Sequence, residues 1–206
     1  MPTIEPTATT KMMPTPKGQT RNEEVFRAAA QLMIQKGFAG TSMGDLAKAV
    51  GMTKAGLYHH INSKQDLLFQ ILLYALDVLN REVIAPTACI PDPEERLRQM
   101  IRRHVRGLFT HGLEFTLLFP ERRHLETTQQ EIISKKVDHY RGLLLKALQD
   151  LREEDKLREL DIHAASNHIL QTIAGIARWY PERADMTEEV LVEQTVAFNI
   201  SAILKP

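Results

Sequence analysis

From Asn22 onward apolar side chains recur every three or four positions, the period of a helix with one buried face. Val25, Ala28, Ala29, Leu32 and Met33 make the first such stripe. Asn22 is placed to cap its start, Glu23 and Glu24 suit the positive end of the dipole, and Gly37 stops it, so a helix is expected over 22–36. A second helix opens after Thr41 or Ser42, with Asp45 three residues beyond Ser42 as a short capping box, and closes at Gly51. Thr53 caps a very short third helix running through Tyr58 and His59. Ser63 and Asp66 open a fourth, whose stripe is Leu67, Leu68, Ile71, Leu72, Ala75, Leu76 and Leu79 and which reaches about Val83. Prolines, absent between Pro16 and Pro86, then cluster at Pro86, Pro91 and Pro93 and predict a break.

Beyond the break Asp92 and Pro93 start a helix that should end at His111. Gly112 and Pro120 bracket a short apolar helix over 113–119. A long helix follows over 127–151, with Ile132, Ile133, Val137, Tyr140, Leu144, Leu145 and Leu148 inward. Another spans Asp161 to Tyr180 and stops at Pro181; Thr187 opens the last, with Val190, Leu191, Val196, Ile200 and Ile203 as its stripe. No segment alternates with the period of a strand and no repeat is present, so the fold class is all-α.

Composition narrows the possibilities. The 206 residues carry equal numbers of basic and acidic side chains, 26 of each, but the balance is uneven along the chain. Residues 1–70 hold eight Lys or Arg against five Asp or Glu, a balance of +3, which leaves −3 for the remainder. A basic front and an acidic body point to parts with different partners. The lone Cys89 cannot form an internal disulfide, no apolar run approaches the roughly 18 residues of a membrane span, and the first residues lack the apolar segment of a secretory signal. A soluble, cytoplasmic protein with no membrane partner is the expectation. Residues 1–20, with four Pro and six Thr, read as a disordered arm. Its Lys11 and Lys17, with Arg21, reach a minor groove in one reading and form a solvated tail in the plainer one.

The second and third helices have a linker of about three residues, Gly51 to Thr53, the length of a helix-turn-helix turn. Ala47 and Ala55 are small enough for a helix crossing, Gly51 tolerates positive φ, and Leu46, Val50, Met52, Leu57 and Ile61 supply an apolar underside. Thr53, Lys54, Gly56, Tyr58 and His59 then face outward as polar or small groups able to approach a DNA groove. The pattern Gly37-Phe38-x-x-Thr41-Ser42-Met43-x-Asp45-Leu46-Ala47-x-x-x-Gly51-Met52-Thr53-x-x-Gly56-Leu57-Tyr58-x-His60-Ile61-x-Ser63-Lys64-x-x-Leu67 closely resembles the DNA-binding domain of TetR/AcrR-type repressors. Ile61 stands where that family usually has Phe. The resemblance implies that the third helix enters the major groove of double-stranded DNA. It gives Thr53, Lys54, Ala55 and Gly56 groove contacts, Tyr58 and His59 base or phosphate contacts, Thr41 and Ser42 a phosphate, and Lys64 the DNA backbone. It also implies a homodimer, formed through the last two helices, that reads a palindromic operator. The corresponding division is an arm at 1–20, a helix-turn-helix domain at 21–66 and an effector-binding and dimerisation domain at 67–206.

In such repressors the middle helices enclose a small-molecule effector, and Phe109, Leu113, Phe115, Leu117, Leu118, Phe119, Tyr140 and Trp179 are candidates to line its cavity. The apolar run ending at Phe119 abuts Glu121-Arg122-Arg123-His124, a juxtaposition suited to an acyl or aromatic acid or an acyl-CoA. The stretch Gly175 to Pro181, with Arg178 and Trp179, resembles a repressor branch that includes acyl-CoA-responsive regulators of lipid and sterol breakdown; the junction common in that branch is replaced here by Glu154 to Leu160. Two other readings are weighed. A di-iron bundle needs two Glu-x-x-His units and further carboxylates, but Glu121 and His124 form a single unit; no catalytic constellation, cofactor or metal site emerges. A C-terminal half that only dimerises, with no effector, is the remaining alternative.

Overall fold

The computed structural model describes residues 21–118, 120–180 and 186–206. The arm with Lys11 and Lys17, Phe119, Pro181 and the side chain of Arg21 lie outside the described residues. Among the described residues the chain forms nine α-helices: α1 (Arg21–Gly40), α2 (Met43–Ala49), α3 (Lys54–His60), α4 (Lys64–Leu79), α5 (Ala85–Thr87), α6 (Pro93–Leu117), α7 (Thr127–Glu153), α8 (Ile162–Trp179) and α9 (Glu188–Ile203). The sole extended pairing among them is a bridge between Leu157 and Leu204, flanked by Arg158 N–H donating to Ile203 O and Lys205 N–H donating to Lys156 O, both at 2.9 Å. It pins the chain end to the α7–α8 linker.

The caps fall where the short polar side chains sit. Ser42, Thr53, Ser63, Asp92, Asp161 and Thr187 each accept a hydrogen bond from an N–H in the first turn of α2, α3, α4, α6, α8 and α9, satisfying a donor the helix cannot pair internally. Helices α1 to α3 make a small head, and α4 leads from it into the body. There α6, at 25 residues, runs through the centre and packs against α1, α4, α7, α8 and α9. Two ion pairs on the surface tie it to α9: Arg102 to Glu193 at 2.8 Å and Arg106 to Glu189 at 2.9 Å.

Departures from the expected pattern are informative. Gly37 adopts φ of +72°, ending the regular part of α1 as expected, but one further turn runs on to Gly40. The break expected from the cluster Pro86, Pro91 and Pro93 is present, but it begins only beyond Pro86. A π turn over Asn80–Ile84 continues α4, its wider coil makes room for the proline ring in α5, and the chain changes direction only at 88–92. Likewise α6 does not end at His111. It kinks there (φ −125°, ψ 20°) and goes on to Leu117, because both halves bury apolar faces in the same core. Ile132 and Val190, expected inward, are 44% and 46% exposed, and Leu145 is half-buried. Ala30 takes a buried place in α1 while Val25, Ala28 and Leu32 are only half-buried.

Candidate nucleic-acid interface and effector cavity

The turns of the head are set by interactions that span a few residues. Ser42 and Asp45 form a reciprocal capping box at α2: Asp45 N–H donates to Ser42 Oγ at 3.1 Å, and Ser42 N–H donates to Asp45 Oδ2 at 3.1 Å. Hydrogen bonds from Ser42 and Lys36 hold the Asp45 carboxyl well below the usual carboxylate range. Gly51 turns the chain with φ of +68°, a conformation that costs other residues a Cβ clash. Gly56 N–H donates to Thr53 Oγ1 at 3.0 Å, and a Cβ at position 56 would lie 3.1 Å from that oxygen, so the cap leaves little room for a side chain there. Underneath, Leu46, Ala47, Leu57 and Ile61 are buried while Val50 and Met52 are half-buried.

The opposite face of α3 meets solvent. Thr53, Lys54, Ala55, Tyr58 and His59 are exposed, Tyr58 to 46%, with Gly56 half-buried among them. This is the outward row expected from the spacing. Ala55 belongs to that face and not to the helix crossing, where Ala47 stands alone of the two alanines.

Three polar side chains expected to meet phosphate are committed elsewhere. Thr41 is buried, and its hydroxyl donates to Gly37 O at 2.8 Å. Lys64 Nζ donates to Phe38 O and Thr41 O, each at 2.7 Å, with Ala39 O at 3.5 Å, and sits 4.5 Å above the Phe38 ring. An ammonium has three protons to donate, and the carbonyls of the last turn of α1 and of Thr41 take them. Ser42 Oγ donates to Asp45 Oδ2 at 2.6 Å, so a phosphate arriving there would face a carboxylate. Thr41 and Lys64 thus fasten the junction of α1 and α2, while Ser42 caps α2 and stays exposed.

In the body a cavity of about 510 Å³ opens between α4, α6, α7 and α8. Leu76, Leu79, Leu108, Phe115, Leu118, Val137 and Leu170 give it a largely apolar wall; His104, Thr116, Tyr140, Gln171 and Arg178 are its polar members. Of the residues expected there, Phe115, Leu118, Tyr140 and Arg178 are present. Phe109 instead packs edge-on to Tyr180, with ring centres 5.3 Å apart, and Trp179 is 40% exposed beside the same tyrosine. Arg122 and Arg123 are exposed on a 3-10 turn and do not line the cavity; the turn lies against the head, where the His124 ring stacks on Phe38 at 4.7 Å. Glu121 and His124 face each other at 3.3 Å. Among the described residues no group of three or more His, Cys, Asp or Glu is placed to hold a metal ion, and no helix is long and apolar enough to cross a membrane.

Sequence spacing missed His104 and Gln171. His104 was detectable as a polar interruption of the stripe Leu97, Met100, Ile101, Val105 and Leu108; Gln171, on the exposed face of α8, carried no signal. Burial pulls His104 down to about 4 from an ordinary value near 6.5, so its ring is neutral at pH 7. Its Nδ1 lies 2.8 Å from Tyr140 Oη, and burial pushes the Tyr140 phenol up.

Between cavity and head lies a buried joint. Phe115, in the cavity wall, packs 6.2 Å from His111 at the α6 kink. His111 Nδ1 is 3.3 Å from Tyr74 Oη, and Tyr74 packs 5.6 Å from Phe26 of α1. His111 Nε2 is also 3.6 Å from Glu82, within the π turn that follows α4, so the two irregular points of the helices meet. Arg27 of α1 donates to Thr110 O next to the kink. Burial lowers the His111 pKa, opposed by Glu82, and raises that of Glu114, whose Oε2 is buried without a hydrogen-bond partner.

The chain is similar to known proteins over nearly its whole length. The family of tetracyclin repressor-like C-terminal domains matches residues 91–203, and the bacterial regulatory proteins of the tetR family match residues 25–71. The HTH-type transcriptional repressor KstR2 of Mycobacterium tuberculosis is 25% identical over 191 residues, covering 90% of this chain and 94% of that one. The HTH-type transcriptional regulator TtgR of Pseudomonas putida is 26% identical, covering 84% and 88%. Among solved structures, AibR in complex with isovaleryl coenzyme A and operator DNA superposes with a TM-score of 0.78 at 30% identity, covering 87% of this chain and 97% of that one. KstR2 of Mycobacterium tuberculosis shares the fold with a TM-score of 0.82 at 23% identity, covering 93% and 99%. The matched C-terminal domain alone spans more than half of the residues, and the head carries the matching helix-turn-helix: this chain belongs to the tetR family of bacterial regulatory proteins.

Proposed function

We propose that the protein is a homodimeric transcriptional repressor that binds a palindromic operator through α3 and leaves it when an apolar acid or acyl thioester occupies the cavity between α4, α6, α7 and α8. The observation that carries this reading is the pairing of an exposed polar α3 face with an apolar cavity, joined through a continuous chain of packed side chains. Thr53, Lys54, Ala55, Gly56, Tyr58 and His59 form the reading face. A second copy supplies the second half-site. The exposed apolar side chains Val190 and Phe198 on α9, the latter 65% exposed, and Trp179 on α8 favour an association surface there.

Release follows from linkage: an effector weakens DNA binding only as far as it prefers the state in which the two α3 helices no longer match successive major grooves. A ligand pressing on Phe115 acts on the His111 kink, then on Tyr74 and Phe26, and so on the angle of the head. That AibR is described with both isovaleryl coenzyme A and operator DNA supports the effector class. The cavity also weighs against a C-terminal half that serves dimerisation alone.

Selection of bound duplexes from a random pool tests this, repeated with short and medium acyl-CoA esters and aromatic acids. The expected result is a palindromic consensus at moderate salt whose recovery drops with one of these ligands. A protein that elutes as a single chain and enriches no sequence overturns the proposal.

A further inference from the structure

We propose that the His104–Tyr140 pair is the polar recognition element of the cavity and that it selects a ligand bearing an uncharged oxygen, a carbonyl or hydroxyl, on the part that the cavity encloses. The inference rests on the reading of this cavity as the effector site and goes further, to the chemistry of the enclosed group.

Both side chains line the cavity, and both are buried, at 9% and 6% exposure. Their 2.8 Å hydrogen bond fixes one ring against the other, and the edge of the His104–Phe115 contact at 5.7 Å holds the imidazole from a second side. The pair is therefore pre-organised. It is also incomplete as a hydrogen-bonding unit. If Tyr140 donates to Nδ1, the imidazole keeps Nε2–H to give; if Nδ1–H donates to Tyr140, the phenol keeps its own proton to give. Either tautomer leaves one donor and one acceptor to spare, the complement of a carbonyl or hydroxyl. Neutral at pH 7, His104 offers no fixed positive charge to hold a carboxylate in an apolar wall. The cationic group among the lining residues is Arg178, which belongs to the exposed part of α8 together with Gln171, so an anionic portion of a ligand is met at that side of the cavity. A plain alkyl chain against His104 and Tyr140 would strip water from the spare donor and return nothing, which is why sites built around buried polar groups reject analogues lacking the matching atom.

Three probes separate the possibilities by isothermal titration of the full chain: octanoyl-coenzyme A, 7-oxooctanoyl-coenzyme A, and S-octyl-coenzyme A, a thioether with no acyl oxygen. At least one of the two oxygen-bearing thioesters is expected to bind tenfold or more tightly than the thioether. Tyr140→Phe, which keeps the ring, and His104→Phe should each bring that ratio to within about threefold; if one variant does not fold, the other decides. Equal binding of all three probes to the wild type, or a ratio that survives substitution, overturns the role of the pair while leaving an acyl-thioester effector standing. No binding of any probe overturns the acyl-thioester reading itself, and this inference with it.

Discussion

The head and the body of this molecule use polar side chains in opposite ways. In the head, Ser42, Thr53, Ser63 and Lys64 satisfy backbone groups at helix ends, and the polar residues left over, Lys54, Tyr58 and His59, are exposed. In the body, His104, His111 and Glu114 are buried among apolar side chains, where burial works against their charged forms. A surface that must meet DNA leaves its polar atoms in water until it binds. A cavity that must recognise something small keeps a few polar atoms dry and fixed. The contrast makes separable predictions: changes on the α3 face should alter DNA binding and leave stability alone, whereas changes in the body should alter stability and its pH dependence.

The largest effect is expected on the α3 face. Tyr58→Ala should weaken operator binding roughly 1,000-fold, about 4 kcal/mol summed over two subunits, with thermal stability and oligomeric state unchanged. Retained binding, measured by fluorescence anisotropy, would break the assignment of the outward face. Next comes His104. Its folded pKa of about 4 lies below the ordinary 6.5, so the native state binds fewer protons than the unfolded chain within that window. Stability from this group is complete above pH 6.5 and declines as pH falls towards 4, by on the order of 3 kcal/mol. Urea unfolding at pH 7.5 and pH 4.5 should show that decline in the wild type and much less of it in His104→Phe.

Lys64 sharpens the comparison because it belongs to the head yet is turned inward. Lys64→Ala should cost about 1–2 kcal/mol in stability, through carbonyls left without a donor. The slope of operator affinity against salt should not change; a slope shallower by about one unit would return Lys64 to the phosphate contacts. The smallest effect is expected from Glu114. Burial raises its pKa by disfavouring the charged form, so Glu114→Gln, which cannot ionise, should be slightly the more stable of the two proteins at pH 7.5. The sign is opposite to that of His104: for the wild type this contribution improves as pH falls through the raised pKa. Equal melting temperatures of the two proteins at pH 7.5 would show that the carboxylate is compensated.

Much of the head was legible from residue order. Each N-cap there is an oxygen three residues from the N–H it accepts, as in Ser42–Asp45 and Thr53–Gly56, and Gly51 supplies a backbone angle other residues avoid. Such interactions span one helical turn, so local spacing was enough to place α2, α3 and the exposed row between Thr53 and His59. The helical class and most of the buried stripes follow from the same periodicity. Lys64 reaches carbonyls 23 and 26 residues away, and its neighbours in the chain say nothing of that. Arg122 and Arg123 adjoin an apolar run in sequence but go with the head in space, because the turn after α6 brings His124 onto Phe38. The cavity was the least legible feature. It is the volume left where four helices fail to meet, and its lining depends on how each helix is rotated and where α6 kinks. Those are properties of packing, set by contacts between residues far apart in the chain.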